Sequence, residues 1–390
     1  MKIIIVTLGS LGDNYPFVNI GVALQKRGYD VSFLGCDWFK DVITKAGLTY
    51  FSVFSAEDAN NVSKLPELWQ AETARSVMVN HVYTPAAIPT FEFIEKNYVP
   101  GNTVLVSPTW IFGARFAQEK LKIPLLTVHL APYAFQNLME DRREALDSVL
   151  YEPLNNLGRK LGLNPRKRNL YSWLNSPSTI CGLFPDWFAC PDHERVEDTV
   201  LTGFPIPKEM PLVQLPDELE SFLNQGEKPI VFTPGTGMRQ AADFFNTSVE
   251  VCDMLGKRGV LLSPFEEHIP DNLPDSVCYF KYVPLDALLC RSSALVYHGG
   301  IGTCAQALNA GIPHLVMPMA FDQFDNAARL KSLGVGNQIS REKYIPSTVA
   351  ESLNKLINCK SVEKQCAVIA GKFKEDDPLN KVCNIIDICK

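Results

Sequence analysis

Short apolar runs alternate with segments of helical period along this chain, and the alternation occurs twice. Residues 2–7 read as a strand that stops at a Gly-rich turn. A helical pattern over 17–27 ends at Gly28, and strand 30–35, helix 38–46 and strand 49–53 follow. Parallel strands require crossover connections, and this β-α-β-α-β order therefore predicts an α/β fold with a parallel, doubly wound sheet. Residues 55–98 break the pattern and read as an irregular insertion, mixed aromatic and polar, that lines a pocket. Strand 103–107, helix 111–120, strand 125–130 and strand 179–184 restore it.

The proline-rich segment 203–216 removes backbone donors and holds the chain extended, which places an interdomain linker there. A second alternating unit then runs through strand 229–233, helix 242–258, strands 260–263, 278–281 and 294–297, a helix from Thr303, and strand 314–317. A chain of 390 residues exceeds one ordinary core and suits two domains. The expectation is two Rossmann-like domains facing a cleft, with boundaries 1–205, a linker at 206–222, and 223–390, whose last helix is free to cross back to the first domain.

Bulk properties exclude several function classes. A net charge of −6 disfavours nucleic acid, whose phosphates need a basic surface. No run approaches the length of a membrane span, and MKIIIVTLG is too short for a signal peptide. The 11 cysteines form no CxxC pair and sit mostly in apolar runs, as expected of reduced thiols in a cytoplasmic protein. Arg159, Lys160, Arg166, Lys167 and Arg168, interleaved with Leu161, Leu163, Tyr171 and Trp173, read as a solvated helix face or as a weak peripheral contact with an anionic membrane.

Chemistry concentrates in ALVYHGGIGTCAQALNAGIPHLVMPMAFDQFDNAARL, residues 294–330. A strand ends at His298, and Gly299, Gly300 and Gly302 lead into a helix whose first turn holds Thr303. Glycines admit a ligand close to the backbone, and a helix N-terminus attracts an anion such as a diphosphate. Asp322 and Gln323 fall after the next strand, where a carboxylate and an amide can bind adjacent sugar hydroxyls, or where Asp322 caps a helix. Tyr282, followed by Val283, offers an aromatic face for a nucleobase. Thr233, Gly235 and Thr236 close the first strand of the second domain, within reach of the same phosphates. In the first domain, GSLGDNYP does not complete GxGxxG. Its Asp13 stands before a helix, as a general base for a hydroxyl or as a cap beside Pro16. His129 ends a strand and is a second candidate for the cleft, or a core histidine.

These segments, with SPSTICGLFPDWFACP, LTGFP, PIVFTPGT, YVPLDALL, HGGIGT and DQFDNAARL in order, resemble family 1 glycosyltransferases of the two-domain GT-B architecture. The bacterial rhamnosyltransferases of rhamnolipid synthesis resemble it most. The resemblance implies an acceptor-binding first domain and a nucleotide-sugar-binding second domain. His298, Gly299, Gly300, Gly302, Thr303 and Thr236 would hold the diphosphate, Tyr282 and Val283 the base, and Asp322 and Gln323 the sugar. Asp13 would serve as catalytic base, with Ser10 and Asn14 beside the acceptor. Relatives that use UDP-sugars carry a glutamate eight residues after the histidine; here Gln306 stands, which leaves UDP- and dTDP-sugars both open. No DxD motif occurs, and residues 298–341 contain no glutamate. The expectation is therefore a metal-independent, inverting transfer from a nucleotide sugar to a small hydrophobic or lipid-like acceptor, with no other cofactor. A nucleotide-sugar 2-epimerase and an inert partner of another transferase are the alternatives.

Overall fold

A computed structural model describes every residue except 137–139, 167–169, 178, 190–198, 207–214, 375–376 and 389–390. The chain forms two compact units: Met1–Pro207 together with Asp377–Lys390, and Lys208–Asp376.

In the first unit, strands β1 (Lys2–Val6), β2 (Asp30–Cys36), β3 (Thr49–Phe54), β4 (Thr103–Pro108), β5 (Leu125–His129), β6 (Thr179–Gly182) and β7 (Thr199–Leu201) form one sheet. Its order is β3-β2-β1-β4-β5-β6-β7, all pairs parallel. Ile3, Ile4, Ile5 and Val6 have no exposed surface, because helices cover both faces of a parallel sheet and leave no face for polar residues. The strand order reverses between β1 and β4, and the loops leaving these two strands diverge there.

The first helix, Leu11–Lys26, starts well before the expected residue 17. Ser10 is extended at its N-cap and Asp13 occupies the third helical position, so the turn read from glycines is already helix. Pro16 is inside this helix and is not at its first position; the amide it lacks removes the bond that would run back to the Gly12 carbonyl, one turn in.

Residues 55–98 are also largely helical, against expectation: Ala56–Ser63, Ala74–Met78, a π-helical turn at Val79–Tyr83, and Thr84–Asn97. Pro85 and Pro89 mask the helical period in the sequence. In three dimensions Pro85 lies in the first turn of Thr84–Asn97, while Val79, Val82, Ala86, Ala87, Phe91 and Ile94 bury one stripe.

The last helix, Pro378–Ile388, belongs to the first unit, the return to the first domain that the sequence allowed, and the second unit is Lys208–Asp376. Val382, Cys383 and Ile386 enter the first unit's core, and Arg27 pairs with Asp387 at 2.7 Å. In the basic cluster Arg159 and Lys160 are exposed, as a solvated face requires, but Arg166 is not. Arg166 is 9% exposed, stacks on Phe116 and Trp173 at 4.4 and 4.2 Å, and pairs with Glu119 at 2.6 Å. A guanidinium so enclosed cannot meet a membrane; Lys167 and Arg168 lie outside the described residues. No helix among the described residues is long and apolar enough to cross a membrane.

In the second unit, β8 (Ile230–Thr233), β9 (Gly259–Leu262), β10 (Val277–Phe280), β11 (Ala294–Tyr297), β12 (His314–Val316) and β13 (Gly336–Gln338) pair in parallel in the order β10-β9-β8-β11-β12-β13. Strand β13 carries no apolar signal in Gly-Asn-Gln. It exists because Gly336 approaches β12 so closely that a Cβ there would stand 2.7 Å from the His314 carbonyl oxygen. The linker expected at 206–222 runs into a helix, Asp217–Asn224, that buries Leu219 and Leu223.

Close packing in the first unit depends on Gly113, where a Cβ would lie 2.4 Å from the Ala87 carbonyl oxygen and 2.5 Å from Thr90 Cβ. Gly113→Ala should therefore separate the Thr84–Asn97 and Phe112–Leu121 helices and destabilise the unit by about 1–3 kcal/mol. Urea unfolding followed by tryptophan fluorescence measures this, and an unshifted midpoint would refute it.

Candidate functional site

The second unit's strand order also reverses once, between β8 and β11, and the loops that leave these strands meet. Thr233 pairs in register with Tyr297, so the loop through Gly235 and the loop through His298 start level with each other. The His298 ring lies between two glycines. A Cβ on Gly235 would stand 2.7 Å from its Cε1, and one on Gly300 2.5 Å from its Nε2. Gly235, at φ +95°, and Gly299, at φ +97°, hold left-handed conformations that other residues rarely adopt. His298 Nδ1 is buried with no hydrogen-bond partner among the described residues. Burial pushes this imidazole down to about 4, so the ring is neutral at pH 7 and keeps one donor and one acceptor.

Gly300 caps the helix Ile301–Ala310, whose ladder begins with Cys304 N–H donating to the Gly300 carbonyl at 2.9 Å. The amides of Ile301, Gly302 and Thr303 precede that first bond and lie at the positive end of the helix dipole, a site suited to an anion. Thr303 and Gln306 are half-buried on this helix and Thr236 is exposed on the facing loop. The Thr233 hydroxyl accepts the Gly235 N–H at 3.3 Å, which shapes the turn, and it keeps its own proton to donate.

The loop after β12 closes the third side. Gly299 lies against it, since a Cβ there would stand 2.7 Å from Val316 Cγ1 and 3.2 Å from the Gln323 carbonyl oxygen. Asp322 precedes the helix Gln323–Ser332 but makes no side-chain cap. Its Oδ2 instead accepts from Asn326 Nδ2 at 2.7 Å, and the same Nδ2 donates to the Gly299 carbonyl at 2.9 Å. Asn326 has no exposed surface and thus ties the sugar-reading candidate to the glycine turn. Sequence reasoning missed this residue, although its i, i+4 spacing from Asp322 was a usable signal. Gln323 is 4% exposed and its Oε1 accepts from the Met319 and Ala320 amides at 2.8 and 3.1 Å; its carbonyl is spent on the loop, leaving only the amide nitrogen for a ligand. Tyr282 is 59% exposed after β10, two strands from β8, while Val283 is 3% exposed and has only its backbone to offer a base.

In the first unit Asp13 is half-buried. Its Oδ2 accepts from the Ser10 amide at 2.7 Å and the Ser10 hydroxyl at 2.9 Å. Burial raises the carboxyl above its usual range, outweighing these hydrogen bonds, which pull the other way. Asn14 does not face a ligand: it is 1% exposed and donates to the Ser10 carbonyl at 2.8 Å. Nor does His129, which is 1% exposed, bonded through Nδ1 to Thr109 Oγ1 at 3.1 Å, and pushed down to about 4 by burial. A proton acceptor for an incoming hydroxyl must be reachable, so His129 acts as support for the loop after β4.

His129, His298 and His314, the last pushed down to about 3, all have folded values below the unfolded one of about 6.5. The unfolded chain binds these protons first, so stability is constant above about pH 6.5 and falls as the pH drops from there toward 4. Urea midpoints across that range should show the loss, and His298→Gln should flatten part of the slope; an unchanged slope would place His298 in water.

Comparison with known proteins fits this geometry. Residues 262–382 match the family model of the erythromycin biosynthesis protein CIII-like C-terminal domain. The chain is 26% identical to an L-demethylnoviosyl transferase of Streptomyces niveus, over 86% of this chain and 84% of that one. It is 23% identical to a sterol 3-beta-glucosyltransferase of Saccharomyces cerevisiae over 98% of its own length, and spans 34% of that larger protein. A spinosyn rhamnosyltransferase solved with thymidine diphosphate superposes with a TM-score of 0.75 at 18% identity, over 99% of this chain and 100% of the other. In fold the chain is a two-domain GT-B protein, and by sequence it is a homologue of the family 1 glycosyltransferases.

Proposed function

We propose that this chain transfers a sugar from a UDP- or dTDP-sugar to a hydroxyl of a small hydrophobic acceptor, with inversion at the anomeric carbon. The observation that carries the reading is the neutral His298 ring between Gly235 and Gly300, directly before a helix N-terminus. The free amides at Ile301, Gly302 and Thr303, and a donor from His298, would meet the charge that develops on the leaving diphosphate. The reading therefore needs neither a metal nor another cofactor. Asp322, held by Asn326, would accept from sugar hydroxyls. Tyr282 would lie against the base. Gln306, an amide where a carboxylate would bind ribose more strongly, favours no single nucleotide, and thymidine diphosphate in the spinosyn enzyme supports the dTDP option. A cytoplasmic location agrees with the cysteine usage.

Asp13 would take the proton of the acceptor hydroxyl. Burial raises its carboxyl above the ordinary range, which makes it a stronger base than an ordinary aspartate, and both Ser10 bonds fall on Oδ2. Attack by the oxygen on the anomeric carbon breaks the bond to the diphosphate in one step, and the proton passes to Asp13.

Two experiments test the reading. In calorimetry, His298→Ala should weaken UDP or dTDP binding by about 1–3 kcal/mol. Asp322→Ala should weaken nucleotide sugars more than free diphosphates, and equal losses for both would mean that Asp322 does not read the sugar. For the base, Asp13→Asn keeps an oxygen that accepts the Ser10 donors but cannot take a proton. Steady-state transfer should fall by roughly 10²–10⁴-fold with the thermal melt unchanged; a fully active variant would leave Asp13 as a helix cap alone.

A further inference from the structure

Phe321 is held in a backbone conformation that its side chain disfavours. Its φ is +59°, and glycine takes every other positive φ among the described residues except Lys122, an exposed left-handed cap behind the Phe112–Leu121 helix. The Gln323 N–H donates to the Ala320 carbonyl at 3.3 Å, and Asp322, inside that bond, stands at φ −78° and ψ −7°. A positive φ followed by angles of about −80° and about 0°, closed by such a bond, makes a type II′ turn, whose first central position normally belongs to glycine. A bulky side chain placed there crowds its own backbone.

The neighbours keep the turn from relaxing. Before Phe321, the Met319 and Ala320 amides both donate to Gln323 Oε1 at 2.8 and 3.1 Å. After it, Asp322 is tied through Asn326 to the Gly299 carbonyl. Glycine would make this turn without strain, and a ring with 37% of its surface exposed contributes less to packing than a core aromatic does. Backbone strain of this kind clusters where a site makes use of it. Phe321 and Asp322 are the two central residues, so ring and carboxylate leave the tip of the turn together, in the loop after β12 that closes the third side of the cradle. A sugar carries hydroxyls at its rim and C–H groups on its faces, and this pair offers a partner for each.

We propose that Phe321 is a specificity-determining contact of the donor site: its ring lies against the C–H face of the pyranose whose hydroxyls donate to Asp322, and the strained turn presents it there. The inference rests on the transferase reading for its ligand, whereas the strain is tested without one. Thermal melts compare Phe321→Gly with Phe321→Ala, which both lose the ring. Phe321→Gly should melt higher, because glycine alone relieves the positive φ; an equal or lower melt overturns the strained turn and the proposal with it. Calorimetry on the full chain then measures UDP, dTDP, UDP-glucose and dTDP-glucose. Both variants should bind the free diphosphates as the wild-type chain does and the sugar nucleotides at least about fivefold more weakly, the range for one aromatic contact. Phe321→Tyr should keep the wild-type ratio. Diphosphates and sugar nucleotides weakened alike, or neither weakened, would remove Phe321 from the site and leave the donor reading standing. If no nucleotide binds the wild-type chain, the transferase reading falls and takes this ligand with it.

Discussion

The parallel pairing of β8 with β11 underlies the second unit's chemistry. Because Thr233 and Tyr297 stand in register, the two loops that leave these strands begin level, and the strand-order reversal leaves no helix between them. Two residues further on, backbone and imidazole come so close that only glycine fits at 235 and 300. The cradle is therefore built almost wholly from main chain. A single β-carbon in either place would displace the histidine, which explains why so small a motif constrains so many positions.

Much of this was legible in the sequence because glycine and histidine leave unambiguous marks. Apolar runs located the strands other than β7 and β13 to within a residue or two, and the run at 294–330 located the cradle. What stayed hidden depended on contacts distant along the chain. Strand β13 has no hydrophobic pattern and exists through close approach to His314. The helices within 55–98 were masked by Pro85 and Pro89, whose costs are met by their positions and by burial of the opposite stripe. Gln323 and Asn14 have the polar groups of ligand residues, yet backbone takes the Gln323 Oε1 and the Asn14 Nδ2, which residue order alone cannot reveal.

Asn326 illustrates how a buried amide organises a site without touching its surface. One nitrogen donates to both the carboxylate of Asp322 and the carbonyl of Gly299, so the loops after β11 and β12 share one hydrogen-bonding atom. In a region of low dielectric such a shared donor is costly to break from either side. The two loops therefore keep a fixed spacing, as recognition of a sugar joined to a diphosphate requires.

The π turn at Val79–Tyr83 has a consequence of another kind. It makes the alignment of Arg75 with Tyr83, which forms an aromatic wall with Trp110, depend on how many residues separate the two, in addition to what those residues are. Inserting one further residue of regular helix between them would turn the cation by about 100° away from the aromatic wall with every side chain unchanged, whereas deleting the extra residue of the π turn would leave a seven-residue spacing that a regular helix keeps within about 20°. A short insertion in this segment would thus change what the wall presents without the substitution of any side chain.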